Sequence, residues 1–212
     1  MNEKKFSKFS VPLGLLDYVN PILYSVTIIT IIRNTSAGMG RPYNTILLIG
    51  AIMSIFFGFI IPTGKVIVGL GIIQFVMPVS LVFCVNTGIL MSGLMLLKYV
   101  IGLSGAVVCA LAAVIICFLI LVYSKTGKIN SVAVLTGAAG YLLLYASLIT
   151  LSARKGMTLP VVMYALAILL FVMLCGIGIK ADLKDPKVHW VIEISNVICQ
   201  FLVAAATVTL FV

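Results

Sequence analysis

The stretch VHWVIEISNVICQFLVAAATVTLFV, residues 188–212, predicts a membrane-spanning helix that has one polar face. A helix of about 20 apolar residues is long enough to cross the hydrocarbon core of a bilayer. Four polar residues follow one another at steps of four, three and four, which places them on one face of a helix; they are His189, Glu193, Asn196 and Gln200. An ionisable group at the bilayer centre costs roughly 3 kcal/mol on insertion scales, so we expect this face to point toward a partner or water.

The composition of the whole chain indicates the same environment. Of its 212 residues, 63% are hydrophobic and 9% are charged, and the mean hydropathy is +1.29. A soluble domain carries about 25% charged residues, so this chain lacks the polar side chains to cover itself with a water-compatible surface. The apolar segments are continuous rather than alternating, which favours helices over the strands of a barrel. We therefore predict an all-α, polytopic integral membrane helix bundle that forms a single membrane-embedded domain over residues 1–212.

The net charge of +9 does not indicate a nucleic-acid partner, because the basic residues stand singly or in pairs at the ends of apolar segments. Residues in such positions typically anchor helices beside lipid headgroups, so the predicted partner is the bilayer. The start MNEKKFSKFS predicts a retained first span, a cytoplasmic amino terminus and a plasma (inner) membrane location. The five cysteines form no CxxC pair, and there is a single histidine, so no metal site and no cofactor are predicted.

The number of spans depends on the stretch from Val66 to Ser124, which contains one charged residue, Lys98. Its length suits three helices better than two, and the total is then eight. The eight predicted spans are 11–33, 43–61, 66–84, 86–103, 104–124, 130–152, 158–179 and 188–212, with a polar loop over 34–43 and a tight turn over 62–65. If 66–98 is instead one long or broken span, the total is seven and the basic residues divide nine against five, which the positive-inside rule favours over the seven-to-seven division of eight spans.

The first span contains Asp17, the other carboxylate within an apolar segment, followed by Asn20 and Pro21. Proline inside a helix removes a hydrogen-bond donor and frees a backbone carbonyl, so we expect a break or kink here. Asp17 at this position either caps the helix at the membrane interface or faces the bundle. We expect Glu193 to point into the bundle within reach of Asp17 or Asn20.

A second pattern predicts a helix-packing seam. Gly105, Cys109, Ala113 and Cys117 recur every four residues, and small residues at this spacing typically allow two membrane helices to approach closely.

Two stretches about 90 residues apart suggest a duplicated three-helix unit, over 12–84 and 104–180, joined by a linker helix. Each has a helix, a short basic loop with Ser or Thr, and a helix with aromatic residues near its far end. The first unit resembles the SWEET and PQ-loop transporters, on the residues Pro21, Arg33-Asn34-Thr35-Ser36, Pro42-Tyr43 and Phe57-Gly58. The second unit lacks the helix proline and the Pro-Tyr pair. The resemblance implies a transporter fold built from repeated units.

Three functions remain open from the sequence. The buried polarity favours a transporter of a small solute, and an imidazole one turn from a carboxylate suits proton coupling, with the pathway formed by His189, Glu193, Asn196, Gln200, Asp17 and Asn20. The second is a non-catalytic membrane subunit, assembly factor or sensor partner, in a homo-oligomer or with another membrane protein. The third is an intramembrane lipid-acting enzyme, for which Asp17 and Glu193 are the available acid–base couple; motifs such as HExxH and GxSxG are absent from the sequence.

Overall fold

The computed structural model describes residues 11–72, 79–180 and 186–212, and within these ranges the chain is helical and contains no strand. The helices are α1 Val11–Asp17, α2 Val19–Met39, α3 Arg41–Gly69, α4 Val79–Ile101, α5 Gly105–Thr126, α6 Ile129–Arg154, α7 Thr158–Lys180 and α8 Pro186–Phe211. Among the described residues, six spans are long and apolar enough to cross a membrane, with α1 and α2 counted as one, and α7 contains a further apolar stretch. The prediction of an all-helical chain with many apolar spans is confirmed, and six to seven long apolar helices fit an integral membrane protein.

The separate span expected over 66–84 is wrong. Residues 66–69 belong to the end of α3, and residues 79–84 belong to the start of α4. The segment left between them is too short to cross a bilayer as a helix. The count of eight spans is therefore not confirmed.

The turn predicted over 62–65 is also wrong, because α3 continues through Pro62. A proline inside a helix removes the bond to the carbonyl one turn earlier, here that of Gly58. Contacts with α1 and α2 compensate: the hydroxyl of Thr63 lies 2.6 Å from that of Tyr18, and a Cβ added at Gly58 would lie in ordinary contact with Pro21. Packing against a neighbouring helix thus holds α3 in register beyond the proline.

The predicted loop over 34–43 is helical as far as Met39, and the break is confined to Gly40, which has φ = 76°. The side chains of Asn34 and Thr35 donate hydrogen bonds to carbonyls one turn earlier, Thr30 and Ile31 respectively, at 2.8 Å. Polar residues satisfied in this way are compatible with a helix in an apolar environment.

The break expected beside Asn20-Pro21, as an alternative to a kink, is observed as a one-residue interruption. α1 ends at Asp17, Tyr18 forms a turn, and α2 begins at Val19. Because Pro21 has no N–H, the carbonyl of Asp17 cannot receive the usual bond from the residue four positions later.

Six helices pack side by side in a closed ring, in the order α2, α3, α4, α6, α7, α8 and back to α2. α1 continues α2 at one end and packs against α3 and α8. Glycines bring two pairs of these helices into backbone contact: a Cβ at Gly50 of α3 would lie 2.7 Å from the carbonyl oxygen of Gly88 in α4, and one at Gly93 of α4 would lie 2.6 Å from that of Gly140 in α6. Such close approach is typical of membrane helices, in which packing replaces the hydrophobic effect.

The helix α5 lies outside the ring, against α6 and α4, and the packing seam predicted on it is wrong for three of its four residues. Gly105 does pack closely, because a Cβ there would lie 2.5 Å from the hydroxyl oxygen of Tyr43 in α3. Cys109 and Cys117 are exposed, as is Ala113 between them. The face toward the bundle carries larger apolar residues instead, including the buried Val108. The ring closes without α5, so this helix needs only a narrow contact and keeps its small residues outward.

Candidate functional site

An ion-pair cluster joins three helices at one end of the bundle. The ammonium nitrogen of Lys65 lies 2.6 Å from Oδ2 of Asp17 and 3.0 Å from Oε1 of Glu193. The three side chains are 13%, 10% and 11% exposed, respectively. The cluster is therefore largely shielded from solvent, where ion pairs are stronger and an unmatched charge is costly.

Helix direction explains why residues far apart in sequence meet here. Asp17 is the last residue of α1, Lys65 lies one turn before the end of α3, and Glu193 lies in the second turn of α8. Because α3 runs antiparallel to α2, its carboxyl end lies at the same end of the bundle as α1. The chain crosses the bundle six times before α8, so α8 also begins at this end.

Asn20, in the first turn of α2, connects the two carboxylates. Its amide nitrogen donates to Oδ1 of Asp17 at 3.3 Å and to Oε2 of Glu193 at 3.4 Å. The amide thus holds the carboxylates on a common side of Lys65. With all three groups ionised, the two acids and one base leave one negative charge.

A cavity of about 160 Å³ opens beside this cluster, inside the ring. Its lining comes from α1, α2, α3, α4, α6 and α8, and consists of Asp17, Asn20, Pro21, Tyr24, Ser54, Gly58, Ile61, Pro62, Val85, Ile89, Tyr141 and Asn196. Half of these residues are polar, in a bundle whose interior is otherwise mostly apolar. A concave space with a few convergent polar groups is typical of a small-molecule site.

Three polar atoms of the lining residues lack a hydrogen-bond partner within the described part of the chain, and one of them, Oδ2 of Asp17, is ion-paired with Lys65. The other two are the hydroxyl oxygen of Tyr24 and Oδ1 of Asn20, and both are buried. Tyr24 is 5% exposed. Because buried polar atoms are nearly always paired in folded proteins, unpaired atoms beside a cavity indicate that a molecule in the cavity completes their bonding.

The structure brings together four of the six predicted site residues. Asp17, Asn20 and Glu193 meet around Lys65, as the expected approach of Glu193 to the first span requires, and Asn196 lies on the cavity one turn further along α8. His189 is half-buried one turn before Glu193, and Gln200 is 3% exposed; neither belongs to the described lining of the cavity.

Two other polar residues of the apolar segments, Gln74 and Asn86, are also candidate partners of this face by their sequence positions. Asn86 instead donates to the carbonyl of Ala133 at 2.7 Å, which ties α4 to α6. Gln74 lies outside the described residues.

Sequence reasoning missed Lys65, Tyr24 and Tyr141. Lys65 was assigned to a turn because it follows Pro62 and Gly64, which commonly end helices. The signal that identifies it is the apolar segment on its far side, Val66-Ile67-Val68, which indicates that the helix continues beyond the charge. The tyrosines carried no such signal, because aromatic residues are common at many positions in membrane helices.

Comparison with known protein families, with curated proteins and with solved structures found no match to this chain. The ion-pair cluster and the cavity are therefore the features of this chain that indicate its function.

Proposed function

We propose that this protein transports a small solute across the membrane and that Glu193 couples the movement to protons. The observation that carries the proposal is the buried cluster of Asp17, Lys65 and Glu193 at the edge of a polar cavity. Ionisable residues inside a membrane bundle are costly and typically mark ion, proton or substrate pathways.

The charge of the cluster supports proton coupling. Two carboxylates share one ammonium group, so a proton bound by either acid brings the cluster to neutrality. Protonation of Glu193 removes the charge that attracts Lys65 on that side and loosens the contact between α3 and α8. A bond that forms and breaks with one proton, between two helices of the ring, is suited to alternating access.

The helix arrangement supports the proposal of a duplicated unit. In the ring, α2, α3 and α4 are neighbours in sequence order, as are α6, α7 and α8, and α5 lies outside between the two sets along the chain. Two three-helix units joined by a linker helix have this order, which is also the organisation implied by the resemblance to SWEET and PQ-loop transporters. The units in this grouping are α2–α4 and α6–α8, whereas the units predicted from the sequence are 12–84 and 104–180, of which the second begins with α5 and excludes α8.

The proposed orientation has the amino terminus in the cytoplasm, at a plasma (inner) membrane. Among the described residues, the end of the bundle that holds Asp17 carries Lys65, Lys125, Lys128, Lys180 and Lys187. In the sequence, Lys4, Lys5 and Lys8 precede the first span and Lys184 precedes the last. The other end carries Arg33, Arg41, Lys98, Arg154 and Lys155. The positive-inside rule assigns the first end to the cytoplasmic side.

The experiment is a proton-flux assay in proteoliposomes that contain a pH-sensitive dye, with a panel of small solutes added outside. We expect at least one solute to drive proton movement that protein-free liposomes lack. Glu193→Gln keeps the shape and hydrogen-bonding capacity of the side chain and should abolish this flux. Lys98→Gln, at the other end of the bundle, serves as the control and should retain it.

Two results would contradict the proposal. One is solute movement that continues unchanged and proton-coupled in Glu193→Gln, which assigns Glu193 a packing role. The other is the absence of flux for every solute in a correctly folded protein, which favours a non-catalytic partner in a larger membrane assembly.

A further inference from the structure

The cavity beside the ion-pair cluster is rich in hydrogen-bond acceptors. The amide hydrogens of Asn20 are directed to the two carboxylates, and the oxygen of the same amide is unpaired. The hydroxyl of Ser54 donates to the carbonyl of Gly50 at 2.8 Å, which leaves its lone pairs as acceptors.

Two prolines in the lining add backbone carbonyls to these hydrogen-bond acceptors. Because Pro21 and Pro62 have no N–H, the carbonyls of Asp17 and Gly58 do not receive the usual helical bond. Both residues with freed carbonyls line the cavity. A ligand that donates hydrogen bonds can satisfy these acceptors, while the hydroxyl of Tyr141 and the amide of Asn196 are lining groups that can also donate.

The charge at the cavity has the sign that such a donor requires. Asp17 belongs both to the lining and to the ion-pair cluster, whose two acids and one base leave one negative charge. One positive charge in the cavity brings the site to neutrality.

The remaining lining distinguishes an organic cation from a metal ion. A bare inorganic cation replaces its hydration shell with about six or more oxygens, whereas Ile61, Val85 and Ile89 present hydrocarbon to this cavity. The rings of Tyr24 and Tyr141 add aromatic surface, which attracts organic ammonium groups. The volume of about 160 Å³ corresponds to roughly five molecules of liquid water at about 30 Å³ each, which limits the ligand to a small compound.

We propose that the cavity binds a small organic ammonium ion. Its nitrogen donates to Asp17, to Oδ1 of Asn20 and to the hydroxyl of Tyr24, and its alkyl part contacts Val85 and Ile89. This inference deepens the proposed function by assigning the class of solute, but the binding itself requires neither transport nor a proton gradient.

The test is thermal unfolding of the full-length protein in detergent, titrated with propylammonium chloride. Sodium chloride at equal ionic strength controls for the charge, 1-propanol for the alkyl part, and sodium propionate for an ion of opposite sign. We expect a saturable rise in Tm with propylammonium alone, because a ligand that binds only the folded state stabilises it in proportion to its occupancy.

Two variants locate the site. Asp17→Asn removes the charge and should weaken propylammonium binding at least about tenfold, the change expected for loss of a charged hydrogen-bond partner. Tyr24→Phe removes only the unpaired hydroxyl and should weaken binding about three- to tenfold. Tyr164→Phe is the matched control, because Tyr164 is an equally buried tyrosine bonded to Thr207, away from the cavity, and its affinity should equal that of the unmodified protein.

Equal stabilisation by sodium chloride or by 1-propanol would overturn the inference, and so would a propylammonium affinity that Tyr24→Phe leaves unchanged. If Asp17→Asn fails to fold, Tyr24→Phe decides alone. If the protein binds propylammonium at this site but moves no solute in liposomes, the inference holds and the proposed transport is contradicted. If neutral solutes drive proton flux but propylammonium does not bind, the proposed transport holds and the inference is overturned.

Discussion

The ammonium group of Lys65 lies 2.6 Å from the carboxylate of Asp17 and ties the last turns of α3 to the end of α1. The same ammonium reaches Glu193 of α8, so one base serves two acids that are each about one-tenth exposed. Removal of one partner from a buried ion pair is strongly destabilising, because it leaves uncompensated charge in a poorly solvated place.

Lys65→Met should therefore lower the free energy of unfolding by about 3–5 kcal/mol. The measurement is the thermal or denaturant-induced unfolding of the purified protein in detergent. Lys98→Met is the control: Lys98 lies 3.8 Å from the centre of the Tyr43 ring, and loss of that contact should cost only about 0.5–1 kcal/mol. Adding Asp17→Asn and Glu193→Gln to Lys65→Met should restore much of the stability, since no unmatched charge then remains. Equal losses for the two lysine variants would contradict the buried ion pair.

Gly93→Ala should destabilise the contact between α4 and α6. The added Cβ would lie 2.6 Å from the carbonyl oxygen of Gly140, a backbone atom that cannot move away by a change of side-chain rotamer. The helices must separate, at a cost of about 1–3 kcal/mol, which is typical of overpacking. Gly58→Ala is the matched control, because its nearest neighbour is the Cβ of Pro21 at 3.4 Å, and its stability should be unchanged or slightly higher. Comparable unfolding curves for both alanine variants would show that the helix contact is looser than described.

On α5, Ala113→Leu should change the free energy of unfolding by less than about 0.5 kcal/mol, because Ala113 is exposed. Ala112→Leu should cost about 1–3 kcal/mol, because Ala112 is partly buried against the core of the bundle. The two variants introduce the same side chain at adjacent positions, so their difference in melting temperature reports which face of α5 meets the bundle. A larger loss of stability in Ala113→Leu than in Ala112→Leu would indicate that the face with the small residues is the packed one.

The buried tyrosines should respond differently to loss of their hydroxyl groups. Tyr164→Phe removes the 2.9 Å hydrogen bond to Thr207 and should cost about 1 kcal/mol. Tyr24→Phe removes a buried hydroxyl that lies near the side chains of Ser54 and Ser92 but makes no hydrogen bond of standard geometry with a described residue, so in the absence of ligand it should be neutral or stabilising. The measurement is unfolding in ligand-free detergent solution. A large loss of stability in Tyr24→Phe would mean that its hydroxyl is bonded in the ligand-free protein.

The sequence predicted the helical character of the chain and the site residues on α8 and the first span, because both follow from local patterns. The spacing of Glu193 and Asn196 on α8, and the polar residues beside Pro21, were sufficient to expect a meeting of α8 with the first span. A helix face that is too polar for lipid can be recognised from the spacing of polar residues within one segment, without knowledge of the neighbouring helices.

The course of α3, the position of Lys65 and the packing of α5 depended on contacts between helices, which local sequence patterns do not encode. Pro62 commonly ends a helix, but here α3 continues because Thr63 and Gly58 pack against neighbouring helices. Lys65 was consequently placed in a turn rather than between two acids. The small residues of α5 had the right spacing for a packed seam, but the ring closes through other helices, and Cys109, Ala113 and Cys117 remain exposed.

The pairing of Lys65 with both Asp17 and Glu193 has a consequence for synthesis. Asp17 and Lys65 belong to neighbouring spans and neutralise each other as soon as α3 has entered the membrane. Glu193 follows Lys65 by 128 residues, which at 5–20 residues per second is a delay on the order of 10 s. During this interval the nascent half-bundle carries a balanced pair, and the second acid meets its base only when α8 inserts beside α2. Because α4 and α6 already join the two halves, the arrival of that acid coincides with the closure of the ring by its last helix.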